Sequence, residues 1–142
     1  MKIRDFDLKA SIRGAGGQGM LLITKQQLEK LLANGQKNAD RLNNPESDGP
    51  THDFWPVVKL FNPCGGGTWL LTELDPEEPD IAFGLCDLGF GCPELGSVRL
   101  SELAELKLMG GALGIERDRH FTAKKSLSAY ADEARELGRI KT

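Results

Sequence analysis

The apolar positions of the chain alternate between helical and strand-like spacing, separated by polar, glycine-rich and proline-rich stretches. In "TKQQLEKLLANG", Leu28, Leu31 and Leu32 recur at three- and four-residue intervals; Thr24 can cap the start and Gly35 supplies a stop. The following "QKNADRLNNPESDGPTHD" is polar and carries two prolines, which predicts an exposed loop over residues 36–53. From Phe54 the pattern turns to strand. "FWPVVKLF" is β-branched and aromatic, "NPCGGG" is a turn cluster, and "TWLLTELD" follows, so the three read as a hairpin whose first strand starts after Pro56 or leaves a free edge there. Simple alternation places Trp69, Leu71 and Glu73 on one face of the second strand, with Leu70, Thr72 and Leu74 on the other.

A third strand is predicted at "IAFGLCDLG", then a loop "FGCPELG" and a fourth strand "SVRL". Ser101 can cap a short helix "ELAELKL", and "GIERDRHF" reads as extended or irregular. The last element, "SLSAYADEARELG", combines capping serines, a stripe of Leu127, Tyr130, Ala134 and Leu137, and a terminal Gly138. This order predicts an α+β fold: a small antiparallel β-meander of three to four strands packed with two to three short helices.

Length fits one domain, over residues 20–142, preceded by a flexible leader or upstream extension at 1–19. That leader contains a G-x-G-x-x-G at Gly14, Gly16 and Gly19. A dinucleotide cradle needs a buried strand before the motif and a second one ending in an acidic residue about 20 positions on. Here Lys9 and Arg13 interrupt the first, and the second would fall in "QKNADRLNNPES", so no cofactor is implied. The formal charge of -3 gives no reason to expect nucleic-acid binding. No apolar run approaches the length of about 20 residues that spans a bilayer, and a cytoplasmic location is expected. Cys64, Cys86 and Cys92 form no disulfide framework and no C-x-x-C pair; reduced thiols are expected, with Cys86 packed as a small hydrophobe. With His52 and His120 they match no zinc spacing, so no metal site is assigned.

The candidate chemistry is carboxylate. Glu73 and Asp75 end the central strand, Asp87 ends the next, and Glu116 precedes Arg117 and Asp118 in "IERDRHF". Adjacent antiparallel strands could bring Glu73 and Asp87 together, and paired carboxylates serve acid-base or metal-assisted hydrolysis. The structural alternative pairs Glu73 and Glu116 with Arg99, Arg117 or Arg119, as charges near strand ends commonly do. Cys92 and His120 would make a nucleophile pair only if the fold joined them. Trp55, Trp69, Glu116, Arg117 and Asp118 are candidates for a binding surface, although tryptophans in paired strands also serve as core contacts.

At "FNPCGGGTWLLTELD", "IAFGLCDLG", "PELGSVRLSEL" and "IERDRHF" the sequence resembles a bacterial family, Domain of Unknown Function 2958, from "LLITKQQLEKLL" to "LSAYADEAR". The resemblance implies a small cytoplasmic protein carried on plasmids, integrative elements and prophage islands, among genes for conjugation, DNA maintenance or defence evasion. It brings no catalytic residue. The chain departs from the family pattern at Ser97, where an aromatic residue is common, and at "KLMGGALG", where the turn is often shorter. A binding surface to which that aromatic contributed would be altered here. The preferred functional expectation is a non-enzymatic accessory protein that binds a protein partner; the alternative is a metal-assisted hydrolase or nucleic-acid-processing enzyme using Glu73, Asp75, Asp87 and Glu116. Because the likeness begins at Met20, a truncation starting there is expected to keep its fold and melting temperature in thermal denaturation. Marked destabilisation would show that the leader packs on the domain.

Overall fold

Helix α1 (Lys25–Asn43) starts where the sequence places it, with a reciprocal capping box. Gln27 N–H donates to Thr24 Oγ1 at 3.1 Å, and Thr24 N–H donates to Gln27 Oε1 at 3.0 Å. The computed structural model describes residues 21–47, 51–111 and 113–142. The G-x-G-x-x-G and the expected leader at 1–19 lie outside the described residues.

Contrary to the expected stop at Gly35, α1 runs on through residues 36–43, which were expected in the loop. Gly35 lies in the helix interior because the helix meets another backbone there. A Cβ on Gly35 would sit 1.7 Å from the carbonyl oxygen of Leu74, far inside van der Waals contact. Around it the buried positions of the helix are Leu31, Asn34, Gly35 and Asn38, a stripe at helical spacing made largely of polar and small residues. Hydrophobicity alone cannot reveal such a stripe.

The sheet is built from β1 (Val58–Phe61), β2 (Thr68–Leu74), β3 (Ile81–Asp87), β4 (Glu94–Arg99) and β5 (Glu116–Arg117). All pairings are antiparallel, in the order β4-β3-β2-β1-β5. The α+β meander is as expected, with five strands rather than three to four. The additional strand is β5, cut from "GIERDRHF", which pairs Arg117 with Leu60 and Glu116 with Phe61. β4 also starts earlier than expected, at Glu94, so the preceding loop is shorter.

Side-chain alternation along β2 breaks at a bulge. Leu71 pairs with Gly84 but Glu73 pairs with Phe83, so the register shifts between Leu71 and Glu73. Gly84 suits this point: a Cβ there would lie 1.9 Å from the Leu70 carbonyl oxygen. Trp69, Leu71 and Leu74 therefore all join one core, with Leu31 of α1, Leu22, Ile23, and Leu100, Leu103 and Ala104 of α2 (Leu100–Glu105). On the opposite face Leu70 and Leu85 pack against Leu127, Tyr130, Ala131 and Ala134 of α3 (Leu127–Leu137), with Ile140. Glu73, expected beside Trp69 and Leu71, is turned to the α3 side of the sheet, opposite Phe83.

Two helix starts differ in who caps them. α3 uses its own Ser126, as expected, and closes on Gly138 in the left-handed conformation (φ 74°). At α2 the cap comes from the β2–β3 connection: Asp80 accepts from Ser101 N–H at 2.9 Å and from Ser101 Oγ at 2.6 Å. Ser101 is thus the donor to a remote cap, and helix α2 starts one residue before it. Among the described residues no helix is long and apolar enough to cross a membrane.

Helix propensity alone predicts that Gly35→Ala stabilises α1 by about 0.5–1 kcal/mol. The contact with Leu74 predicts the opposite sign, a loss of about 3 kcal/mol in urea unfolding. Gly96→Ala on β4, where a Cβ meets nothing within 4 Å, changes stability by less than about 1 kcal/mol. A gain on Gly35→Ala would contradict the packing of α1 on β2.

Candidate functional site

β1 cannot accompany β2 along its whole length. Its ladder ends as Val57 N–H donates to the Leu71 carbonyl at 2.8 Å, and the next residue, Pro56, has no N–H to offer. The C-terminal half of α1 occupies this side of β2. Asn34 Nδ2 donates to the Thr72 carbonyl at 2.9 Å, and Gly35 lets the helix come close enough to do so. One turn on, Asn38 Nδ2 donates to both carboxylate oxygens of Glu73, at 2.8 and 2.9 Å. The orientation of the Asn38 amide is set from behind, since its Oδ1 accepts from His52 N–H at 2.8 Å.

Past Asn38 the helix leans over a cross-strand row formed by Glu73, Phe83 and Ser97. Between them opens a groove of about 330 Å³, lined by Leu42 and Phe83 and by the carboxylates Glu73 and Asp75. Burial pushes the Glu73 carboxyl above the usual carboxylate range; the bonds from Asn38 and Thr72 and the nearby His52 oppose that shift without cancelling it. No Lys or Arg among the described residues forms an ion pair with Glu73.

Two of the other three candidate carboxylates, Asp87 and Glu116, stand elsewhere. Asp87 faces Thr68 at the far end of β3, so the expected approach of Glu73 to Asp87 does not occur; the bulged register sets Phe83 opposite Glu73 instead. Asp87 is buried and accepts from Gly89 N–H at 2.8 Å and Ile140 N–H at 3.0 Å, tying the C-terminal segment to the sheet. Glu116 lies on β5, beyond β1. Asp75 alone shares the groove with Glu73, and its Oδ1 also accepts from Glu77 N–H at 2.9 Å in the β2–β3 turn. Arg99 pairs with Glu78 and Asp80, not with Glu73 or Glu116.

Arg117 donates to the Leu21 carbonyl and is held below the usual guanidinium range by burial, then by Arg119. Asp118 pairs with Lys59 at 3.5 Å. Trp69 is a core residue at 5% exposure, whereas Trp55 is 55% exposed, so the two tryptophans form no common surface. Cys92 precedes β4 and His120 follows β5, strands at opposite edges of the sheet. All three cysteines are free, and burial raises the Cys86 thiol pKa as it packs against the α1-side core. Among the described residues no group of three or more His, Cys, Asp or Glu converges to hold a metal ion.

Sequence reasoning reaches Glu73, Asp75 and Ser97 but not the residues around them. A helix stop at Gly35 hides Asn38 and Leu42, and simple alternation hides the bulge that sets Phe83 opposite Glu73. The available signal was the spacing of Asn34 and Asn38 beside Gly35, one helical stripe that extends past the glycine.

Residues 22–141 match a family described as a protein of unknown function, DUF2958. The chain belongs to the DUF2958 family. No curated protein and no solved structure matches it. The match starts at Leu22, a fully buried residue, and ends one residue past Ile140, which closes the α3-side core, so the DUF2958 unit contains the whole described sheet and both cores. Ser97 of this DUF2958 chain lines the groove.

The raised Glu73 pKa has a definite sign in stability. The folded state binds this proton more tightly than the unfolded chain, so Glu73 weakens the DUF2958 fold once pH exceeds its folded pKa, and the penalty fades as pH falls to the ordinary carboxylate value. Glu73→Gln keeps an acceptor for Asn38 and removes the charge. It is expected to melt no lower than wild type at pH 7, with any gain shrinking towards pH of about 4.3 in circular-dichroism melts. A loss of several degrees at pH 7 would show that the charge itself holds the fold.

Proposed function

We propose that this DUF2958 protein is a non-enzymatic accessory protein of mobile genetic elements, working in the cytoplasm, that binds a protein partner in element maintenance or in evasion of host defence. The observation that carries the binding role is the groove between α1 and the Glu73–Phe83–Ser97 row. It includes Ser97 of β4, the last strand of the sheet on that side among the described residues, and the exposed apolar side chains Phe83 and Leu42 line it. Apolar side chains gathered at a concave, partly polar site are what a partner's side chains can bury against. A net charge of -3 and two carboxylates at the groove favour a protein over nucleic acid. The mobile-element setting rests on the family resemblance.

The hydrolase alternative draws no such support. Of the four carboxylates it would use, only Glu73 and Asp75 share a site, and Asp75 is engaged in its own turn.

Affinity capture from the bacterial host, with mass spectrometry of what is retained, tests the binding role. Wild type is expected to retain a specific protein that Ser97→Arg, which fills the groove with a long side chain, does not. Background capture by wild type, together with turnover of a substrate, would overturn the proposal.

A further inference from the structure

We infer that the groove is a receptor for a cationic side chain, an arginine or lysine presented by the partner protein, with Glu73 as its counter-ion and Phe83 and Leu42 as the walls for its aliphatic stem. This rests on the reading of the groove as the partner-binding surface and specifies what that surface recognises.

The argument is one of unmet complementarity. A carboxylate has about four acceptor positions. In Glu73 the Asn38 amide occupies the side facing α1, and Thr72 Oγ1 adds a long contact at 3.4 Å. Glu73 itself lines the groove, where its further acceptor positions are available to an occupant. Charges withdrawn from water are normally paired, yet among the described residues Glu73 has no ion-pair partner and none of those that line the groove is Lys or Arg. Asp75 brings a second carboxylate to the same groove.

The walls fit the same occupant. Leu42, Pro76, Ile81 and Phe83 are apolar, while Thr51 and Ser97 offer hydroxyls at the polar margin. Arg and Lys bury aliphatic stems against such surfaces while the charged head seeks a carboxylate, and a guanidinium also stacks on an aromatic face. An anionic or wholly apolar occupant would leave Glu73 desolvated without a counter-ion. Ser97 adds to this: strands lie about 4.8 Å apart, so from Ser97 to Glu73 the row is short enough for one long side chain to lie across Phe83. An aromatic residue at position 97 would narrow that path, whereas serine leaves it open.

The test uses the full chain, labelled with nitrogen-15, and two small probes of the same shape: n-butylguanidinium, which mimics an arginine side chain, and uncharged n-butylurea. Saturable amide shifts at Asn38, Phe83 and Ser97 are expected with n-butylguanidinium at concentrations up to about 50 mM, the weak range expected of a fragment. Binding is expected to be at least about tenfold weaker for n-butylurea, and for n-butylguanidinium on Glu73→Gln. Melting of Glu73→Gln alongside wild type confirms that the variant is folded. Equal response to both probes, an unchanged response in folded Glu73→Gln, or no saturable shift would each overturn the inference. Host-partner capture separates this failure from that of the binding role. A partner lost with Ser97→Arg but kept with Glu73→Gln leaves the binding role standing and overturns the cationic recognition. Guanidinium binding at Glu73, with capture insensitive to Ser97→Arg, supports the cation site and overturns the groove as the partner surface.

Discussion

The close approach of α1 to the open side of β2 organises both halves of the groove. Pro56 ends the β1 ladder, so among the described residues the last part of β2 has no neighbouring strand on that side. Buried backbone carbonyls need partners, and Asn34 supplies one to Thr72 from a helix. The contact is possible only because position 35 has no side chain, since any Cβ would collide with the Leu74 carbonyl. A helix seated this way carries Asn38 over the sheet, and Asn38 in turn fixes Glu73. Backbone geometry at one glycine is thereby linked to the electrostatics of a carboxylate in the groove.

The bulge at Thr72 is the second half of the device. Without it, Glu73 would share a face with Trp69 and Leu71, in a core of leucines where a charge has no partner. The register shift lets Leu74 return to that core and turns Glu73 towards Phe83 on the other side. The same shift brings a half-buried carboxylate to an accessible surface, where desolvation raises its pKa but leaves it open to a ligand. Local irregularities in sheets often re-aim a side chain for function, and here the re-aimed residue is a carboxylate that Asn38 of α1 holds from behind.

Much of the fold was legible in the sequence because it rests on local rules. Thr24 with Gln27, Ser126 with Gly138, and the "NPCGGG" hairpin each carry their own signal within a few residues. What escaped depends on contacts far apart in sequence. Gly35 looks like a helix stop until Leu74 is placed against it, and Ser101 looks like a cap until Asp80 arrives from the β2–β3 connection. Strand β5 has two residues and no periodicity to read; it exists because β1 offers it an edge. Of the groove's lining, Glu73, Asp75 and Ser97 are legible in the sequence. The partner of Glu73 on α1 lies on a helical stripe of Asn34, Gly35 and Asn38 that hydrophobicity scores as loop.

The most direct test of this account is a pH titration of the Asn38 side-chain amide, followed by nuclear magnetic resonance in wild type and Glu73→Gln. If Asn38 holds a half-buried Glu73, its Nδ2 protons shift with an inflection above the ordinary glutamate pKa, and the inflection is absent in the variant. An Asn38 amide that does not titrate, or that follows a group at or below the ordinary value, would contradict the claim that α1 builds the groove around this carboxylate.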